Sequence, residues 1–264
     1  MKTSAQSFAI TPLWAILLMF GLLIVMTSPT VAAEPVAQIT NATGTVHIRH
    51  PNGNLRLASV GSELEQGEIL SAEKDSSVRI RFTDGTELVL KPGSRIRIDE
   101  YHFQAEAPEN DNLAFSLVRG GLRAVTGSIG SRGNQDAFRA RSAVGSIGIR
   151  GTQFGMVFCE PEECDDMLSN LPPVLSEQMI KGGLFFEVTL GSIAFINDAG
   201  EFILIAPEWG YAESMDKPPI IVRDDDDDEG FPLRLFLPLI ASDESVGGFS
   251  AGLGVDMFAQ CLVQ

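Results

Sequence analysis

Val78-Arg-Ile-Arg-Phe82, Thr83-Asp84-Gly85-Thr86, Glu87-Leu-Val-Leu90, Lys91-Pro92-Gly93-Ser94, Arg95-Ile-Arg-Ile98: three short apolar or alternating runs, broken by Asp-Gly and Pro-Gly, decide the fold class. Asp-Gly and Pro-Gly are strong turn signals, and period-2 alternation is the signature of a half-buried strand. Ile80, Leu88 and Ile96 recur every eight residues, as do Phe82, Leu90 and Ile98, so both sets fall on one face while Arg81 and Arg97 point the other way. The stepping predicts a chain that folds back every eight residues, as a β-meander or a β-solenoid.

The same grammar runs outward in both directions, through Val46-His-Ile48, Leu113 to Val118, Leu122 to Val125, Phe154 to Phe158, Phe185 to Val188 and Phe202 to Ile205. Few windows carry the 3.6-residue period of an amphipathic helix, and the best, Pro173 to Ile180, is short. The expectation is an all-β fold of many short strands, β-solenoid or β-sandwich-like, with little helix. Twenty-six glycines suit its many tight corners.

The ends read differently. Lys2, an apolar run from Leu13 to Met26 and the small residues Val31-Ala32-Ala33 form a signal peptide over 1–33, with cleavage expected after Ala33. Extended back to Phe8, the run nears the roughly 20 residues that span a bilayer, so an uncleaved inner-membrane anchor is the alternative. Either way the remainder, 34–264, is expected outside the cytoplasm, periplasmic or otherwise exported, touching membrane only through the N-terminal segment. A β domain over 34–222 is followed by an acidic linker, 223–230, and an apolar, Gly-rich tail, 231–264.

The net charge of −16 repels nucleic acid and anionic head groups. Cys159 and Cys164 frame Glu-Pro-Glu-Glu, and an oxidising compartment permits a disulfide between them; Cys261 is left over. Two thiols without a nearby histidine do not complete a zinc site, and His47 and His50 on one strand face apart. Asp224 to Asp228 suit a hard cation, but an EF-hand register from Asp225 puts Phe236 where a bidentate glutamate belongs, so the run reads as a solvated linker. No cofactor is expected. No nucleophile elbow or zincin motif occurs, which argues against an enzyme; paired carboxylates for glycoside cleavage are spatial and stay open.

Gly145-Ser-Ile-Gly148-Ile149-Arg150-Gly151-Thr152 lacks the Lys-Ser/Thr of a P-loop and the spacing of a dinucleotide fingerprint. Its glycines are expected to let backbone pass close to neighbouring strands, with Arg150 bridging carbonyls or a carboxylate. Ala143 to Phe154 closely resembles the GIRGT-type stretch of FecR-domain proteins. Gly44-Thr-Val, Gly61 to Leu70, Phe82 to Ser94, Leu117 to Gly127, Gly191 to Gly200 and Trp209-Gly-Tyr through Pro219 fall in that family's order, so the resemblance covers about Val36 to Val222.

It implies an all-β periplasmic module that, in the named regulators, relays an outer-membrane receptor's state to an inner-membrane partner. Those regulators carry a cytoplasmic anti-sigma segment before their membrane helix; here fewer than a dozen residues precede the apolar run, so only the β module and its envelope location carry over. The functional expectation is a sensory or scaffold module binding another envelope protein of unstated identity through its surface or its terminal edges; no residue is singled out as the contact, and if the binding is strand addition, polar substitution of Phe231, Leu235 or Phe236 in the tail should weaken it. The alternative is a polysaccharide-binding structural protein using Trp209 or Tyr211 as a platform, unless those aromatics close a core layer.

Overall fold

The computed structural model describes residues 34–132, 134, 136–161 and 182–222. The chain divides at Glu34/Pro35, and the described residues from Pro35 onward belong to one unit. The leader with Ala33, the Pro173–Ile180 stretch, Cys164, the acidic run and the tail lie outside the described residues.

Fifteen strands form one hydrogen-bonded network. They are β1 (Ala37–Thr43), β2 (Val46–Arg49), β3 (Leu55–Ala58), β4 (Glu63–Leu64), β5 (Ile69–Ala72), β6 (Ser77–Phe82), β7 (Glu87–Leu90), β8 (Arg95–His102), β9 (Asn112–Val125), β10 (Phe138–Ser142), β11 (Gly145–Cys159), β12 (Gly183–Asn197), β13 (Gly200–Ile205), β14 (Trp209–Ala212) and β15 (Ile220–Val222). Helix among the described residues is confined to a 3-10 turn at Pro108–Asn110 and one α-turn, α1 (Ser128–Ser131).

Three strands are long enough to serve two layers. The first halves of β9 and β11 and the second half of β12 join the order β3-β2-β5-β8-β9-β10-β11-β12-β13. Their other halves join β4-β1-β6-β7-β9-β11-β12-β14-β15. That the network folds over itself follows from Phe186 and Phe195, nine residues apart on β12 yet stacked with centroids 4.7 Å apart. An extended strand would separate them by about 30 Å. Phe138 of the first layer likewise meets Phe115 beside it and Phe154 across the core, edge to face at 5.9 and 6.2 Å. The arrangement is sandwich-like, with a closed β9-β10-β11 ring at its centre.

Each fold is marked by a glycine in the left-handed region, Gly120 (φ 79°), Gly151 (φ 59°) and Gly191 (φ 82°). At each one the inward alternation changes parity. Leu117 and Leu122, Ile149 and Phe154, Val188 and Ile193 are the buried residues flanking the three corners, always five apart instead of an even number. An odd step in a period-2 pattern is a bulge, which re-aims the strand while keeping its apolar side on the core.

The eight-residue stepping is observed as burial: Ile80, Leu88, Ile96, Phe82, Leu90 and Ile98 are all at most 2% exposed. The connectivity differs from a simple meander. Asp84-Gly85 closes a true hairpin, with Ile80 opposite Leu88. Lys91-Pro92-Gly93-Ser94 does not; β8 pairs with β5 and β9, so this turn carries the chain from one layer to the other. The cause lies at Ser94, whose hydroxyl donates to the Gly121 carbonyl and accepts the Gly121 N–H, both at 2.8 Å, pinning the turn to the β9 corner.

The corners should differ in tolerance. A Cβ on Gly120 would sit 2.6 Å from the Ser94 Cα, whereas Gly151 faces open space and is constrained by φ alone. Urea unfolding should show Gly120→Ala losing about 3 kcal/mol or more, Gly151→Ala about 1–2 kcal/mol and Gly151→Asn less than that.

Candidate functional site

The sequence-singled motif builds the central corner. Gly148 and Ile149 lie in the first half of β11, Ile149 in the core at 2% exposure. Arg150 pairs with Ser192; its side chain is outside the described part of the structure. After Gly151 turns the chain, Thr152 is buried and donates its hydroxyl to the Ser192 carbonyl at 2.7 Å. Its N–H donates to the Thr126 hydroxyl at 3.0 Å, and Thr126 N–H returns a bond to the Thr152 carbonyl at 3.2 Å. The glycines act differently from one another. Gly145 leaves room for the Phe195 ring, which a Cβ would meet at 2.4 Å, while a Cβ on Gly148 would meet nothing nearer than 3.9 Å.

A second lock joins the Asp84-Gly85-Thr86 turn to α1. Asp84 is 5% exposed, and its carboxylate accepts from Thr86 N–H (3.1 Å), the Thr86 hydroxyl (2.7 Å) and Ile129 N–H (3.2 Å). Gly127 N–H donates to the Thr86 hydroxyl at 3.0 Å, and the Tyr101 hydroxyl accepts from Asp84 N–H at 2.9 Å. Burial pushes the Tyr101 phenol up to about 12, keeping it neutral.

One charged group sits where sequence reasoning did not look. In the second layer the register Val89, Arg123, Gly155, Glu187, Trp209 runs across five strands on the face away from the core. Glu187 is 6% exposed. Burial pushes its carboxyl up to about 7, against the attraction of Arg123 and Lys91. Burial pushes both cations down, and Glu187 acts against that. Next to this row Val157, Phe185 and Tyr211 are at most 3% exposed; Tyr211 stacks on Phe185 at 4.8 Å and donates its hydroxyl to the Gly182 carbonyl at 2.7 Å. Tyr211 therefore closes an apolar layer and offers no exposed platform. The available signal for Glu187 was a lone acid inside the run Phe185 to Val188.

The described histidines do not converge. His47 faces Glu73 (3.4 Å) and His50 faces Glu65 (3.7 Å), and no group of three or more His, Cys, Asp or Glu comes together among the described residues. A cleft of about 470 Å³ holds His50, Arg56, Glu63, Glu65 and Glu68. Glu68 there is tied to Arg56 Nη2, 3.2 Å from both of its oxygens, and accepts Glu65 N–H, which makes it a strut of the cleft wall. The carboxyl with the raised pKa, Glu187, is not in this cleft. Cys159 is disulfide-bonded; Cys164, its expected partner, is outside the described residues.

Residues 68–165 match the family model described as FecR protein. The match begins inside the turn before β5 and ends past β11, narrower than the Val36–Val222 span of the sequence resemblance, although β1 to β4 and β12 to β15 continue the same network. Two crystal structures described as a candidate anti-sigma factor from Parabacteroides distasonis, at 2.50 and 1.65 Å resolution, match the chain with TM-scores of 0.43 and 0.41 and identities of 13% and 12%. Each likeness covers 60% of this chain and 60% of that one. No curated protein sequence matches the chain significantly.

Two measurements check these assignments. Asp84→Asn keeps the shape but turns an acceptor into a donor facing three donors, and should cost about 1–3 kcal/mol in urea unfolding. For Glu187 the folded carboxyl binds its proton more tightly than the ordinary value of 4.5, so between pH 4.5 and about 7 the folded state holds more protons than the unfolded one. Stability must therefore fall as pH rises through that window, by on the order of 3 kcal/mol for the full shift. Glu187→Gln should flatten that slope in unfolding midpoints taken at pH 5 and pH 8.

Proposed function

We propose that the FecR domain at residues 68–165, with its flanking strands, is an exported, non-enzymatic binding module that engages another envelope protein by strand addition. The observation that carries this reading is β3. Among the described residues it pairs on one side only, with β2, and its Leu55 and Leu57 are 57% and 72% exposed. A soluble protein ordinarily blunts such an edge with charge, proline or a covering element, because unpaired N–H and C=O groups beside exposed leucines template another strand. Here Arg56 between them turns to the Glu63 carbonyl and Glu68, which leaves the two leucines as the outward pair. Alternate side chains in pockets with a main-chain ladder between them are what β-augmentation reads.

The export signal and the resemblance to envelope regulators support placement outside the cytoplasm, with the membrane reached only through residues 1–33. The FecR match supports a protein partner over a glycan, and burial of Tyr211 weakens the polysaccharide alternative. Affinity capture of the tagged protein from envelope extracts, read by mass spectrometry with a chelator control, tests the reading. One protein should be retained reproducibly with chelator present, and Leu55→Lys/Leu57→Lys should reduce its recovery at least about tenfold while leaving the unfolding midpoint unchanged. Undiminished capture by that variant overturns the β3 edge as the contact; loss on substituting Phe231, Leu235 and Phe236 instead would move the contact to the tail.

A further inference from the structure

The outer face of the first layer contradicts the charge of the chain. With 19 cationic and 35 acidic residues the protein is strongly acidic, yet one register across five adjacent strands reads Arg49, Ile69, Arg97, Ser116, Arg141. Arg95 and Arg119 stand directly opposite each other on the same face, and Arg139 lies two residues along β10 from Arg141. The intervening residues Ile48, Leu70, Ile96, Ile98, Phe115 and Ala140 are core, which fixes the arginines outward. Against six arginines the face sets Asp99, which meets Arg97 and Arg141, Glu100, 3.6 Å from Arg141, Glu73 beside His47, and Glu201 at the far end of the same register on β13. Arg95 donates its Nε to the Ser71 hydroxyl and Arg119 to the Gly93 carbonyl, both at 3.1 Å, so hydrogen bonds to neutral groups hold the two guanidinium groups on the face, and like charges opposed across two strands still cost stability.

We propose that this arginine face docks the acidic run Asp224–Glu229 of a second copy of the chain. Charge and length both match. Arg49 to Arg141 spans four strand spacings, about 19 Å, and six extended residues cover about 20 Å. Reach keeps the chain's own run from lying along the whole row. The described chain ends at Val222 on β15, the far edge of the second layer, beside Trp209. From there Glu229 is seven residues away, about 23 Å at full extension. Measured along the sheet, Arg141 on β10 lies three strand spacings, about 14 Å, inside β13, but Arg49 on β2 lies seven, about 33 Å, so the chain's own run does not cover the row from Arg141 to Arg49. In a two-fold pair each copy's run lies on the other's face, giving two equivalent contacts. The proposal is independent of the envelope partner, since it uses the first-layer face and not the β3 edge.

Sedimentation velocity of the purified full chain tests it. The chain should be dimeric at about 50 mM salt and monomeric at about 0.5 M, where the screening length falls to a few Å. Asp224–Asp228→Asn and Arg49→Glu/Arg139→Glu should each be monomeric alone at low salt. Mixed one to one they should form a heterodimer, because the mixture still holds one intact face and one intact run. A wild-type monomer at low salt and about 100 μM overturns the proposal, as does a dimer that survives in the Asn variant or a mixture that stays monomeric. Binding of a hexa-aspartate peptide to a wild-type chain that stays monomeric would leave the face as an acidic-peptide site and sink the second copy as its occupant.

Discussion

A strand that folds over on itself loses ladder hydrogen bonds at the fold, and buried backbone groups left without partners are costly. Three strands of this protein do so, and the rest of the structure depends on how the missing rungs are replaced. At the β9 corner the Ser94 hydroxyl stands in for a strand, serving both the N–H and the carbonyl of Gly121. At the β11 and β12 corners Thr152 and Thr126 exchange hydroxyl and backbone bonds, and Thr152 reaches on to Ser192. A small hydroxyl side chain donates and accepts within one residue's reach, which a longer amide or a charged group does not do in the same space. Glycine supplies the backbone conformation and the hydroxyl closes the ledger of hydrogen bonds; neither suffices alone.

This division explains what could be read from the chain. Ile80, Leu88 and Ile96 declared a common face because strand alternation is local, and Asp84-Gly85 declared its hairpin because turn chemistry is local. Lys91 to Ser94 looked equally like a hairpin turn; what makes it a crossing is Gly121, twenty-seven residues downstream of Ser94. The Gly145–Thr152 stretch was legible as close backbone approach, but not which glycine does what: Gly145 yields to Phe195, Gly151 to dihedral geometry, and Gly148 has only the Ala194 carbonyl at an ordinary contact distance. The buried Glu187 left only a faint trace, because its neighbours Arg123 and Lys91 come from strands far away in sequence.

Electrostatics divides the molecule differently from burial. The second layer holds its charges in a desolvated row over the glycine floor at Gly155, where Glu187 is held at a pKa of about 7 by burial despite two cations. The first layer shows its arginines to solvent. A net charge of −16 says nothing of this, since a sum over the chain cannot report that six of its arginines share a face.

The same locks bear on how such a module could carry information. Relay by internal rearrangement needs an element with two packings of similar energy. Here the corners are fixed by buried hydrogen bonds and by glycines held at positive φ, and shifting one layer against the other would break all three corners together. The frame is therefore poorly suited to a hinge. What remains variable lies at its boundary: the side of β3 that no described strand pairs, and the arginine face of the first layer. On the proposed reading, partners are held at these surfaces, and the rigid interior keeps the two at a fixed spacing.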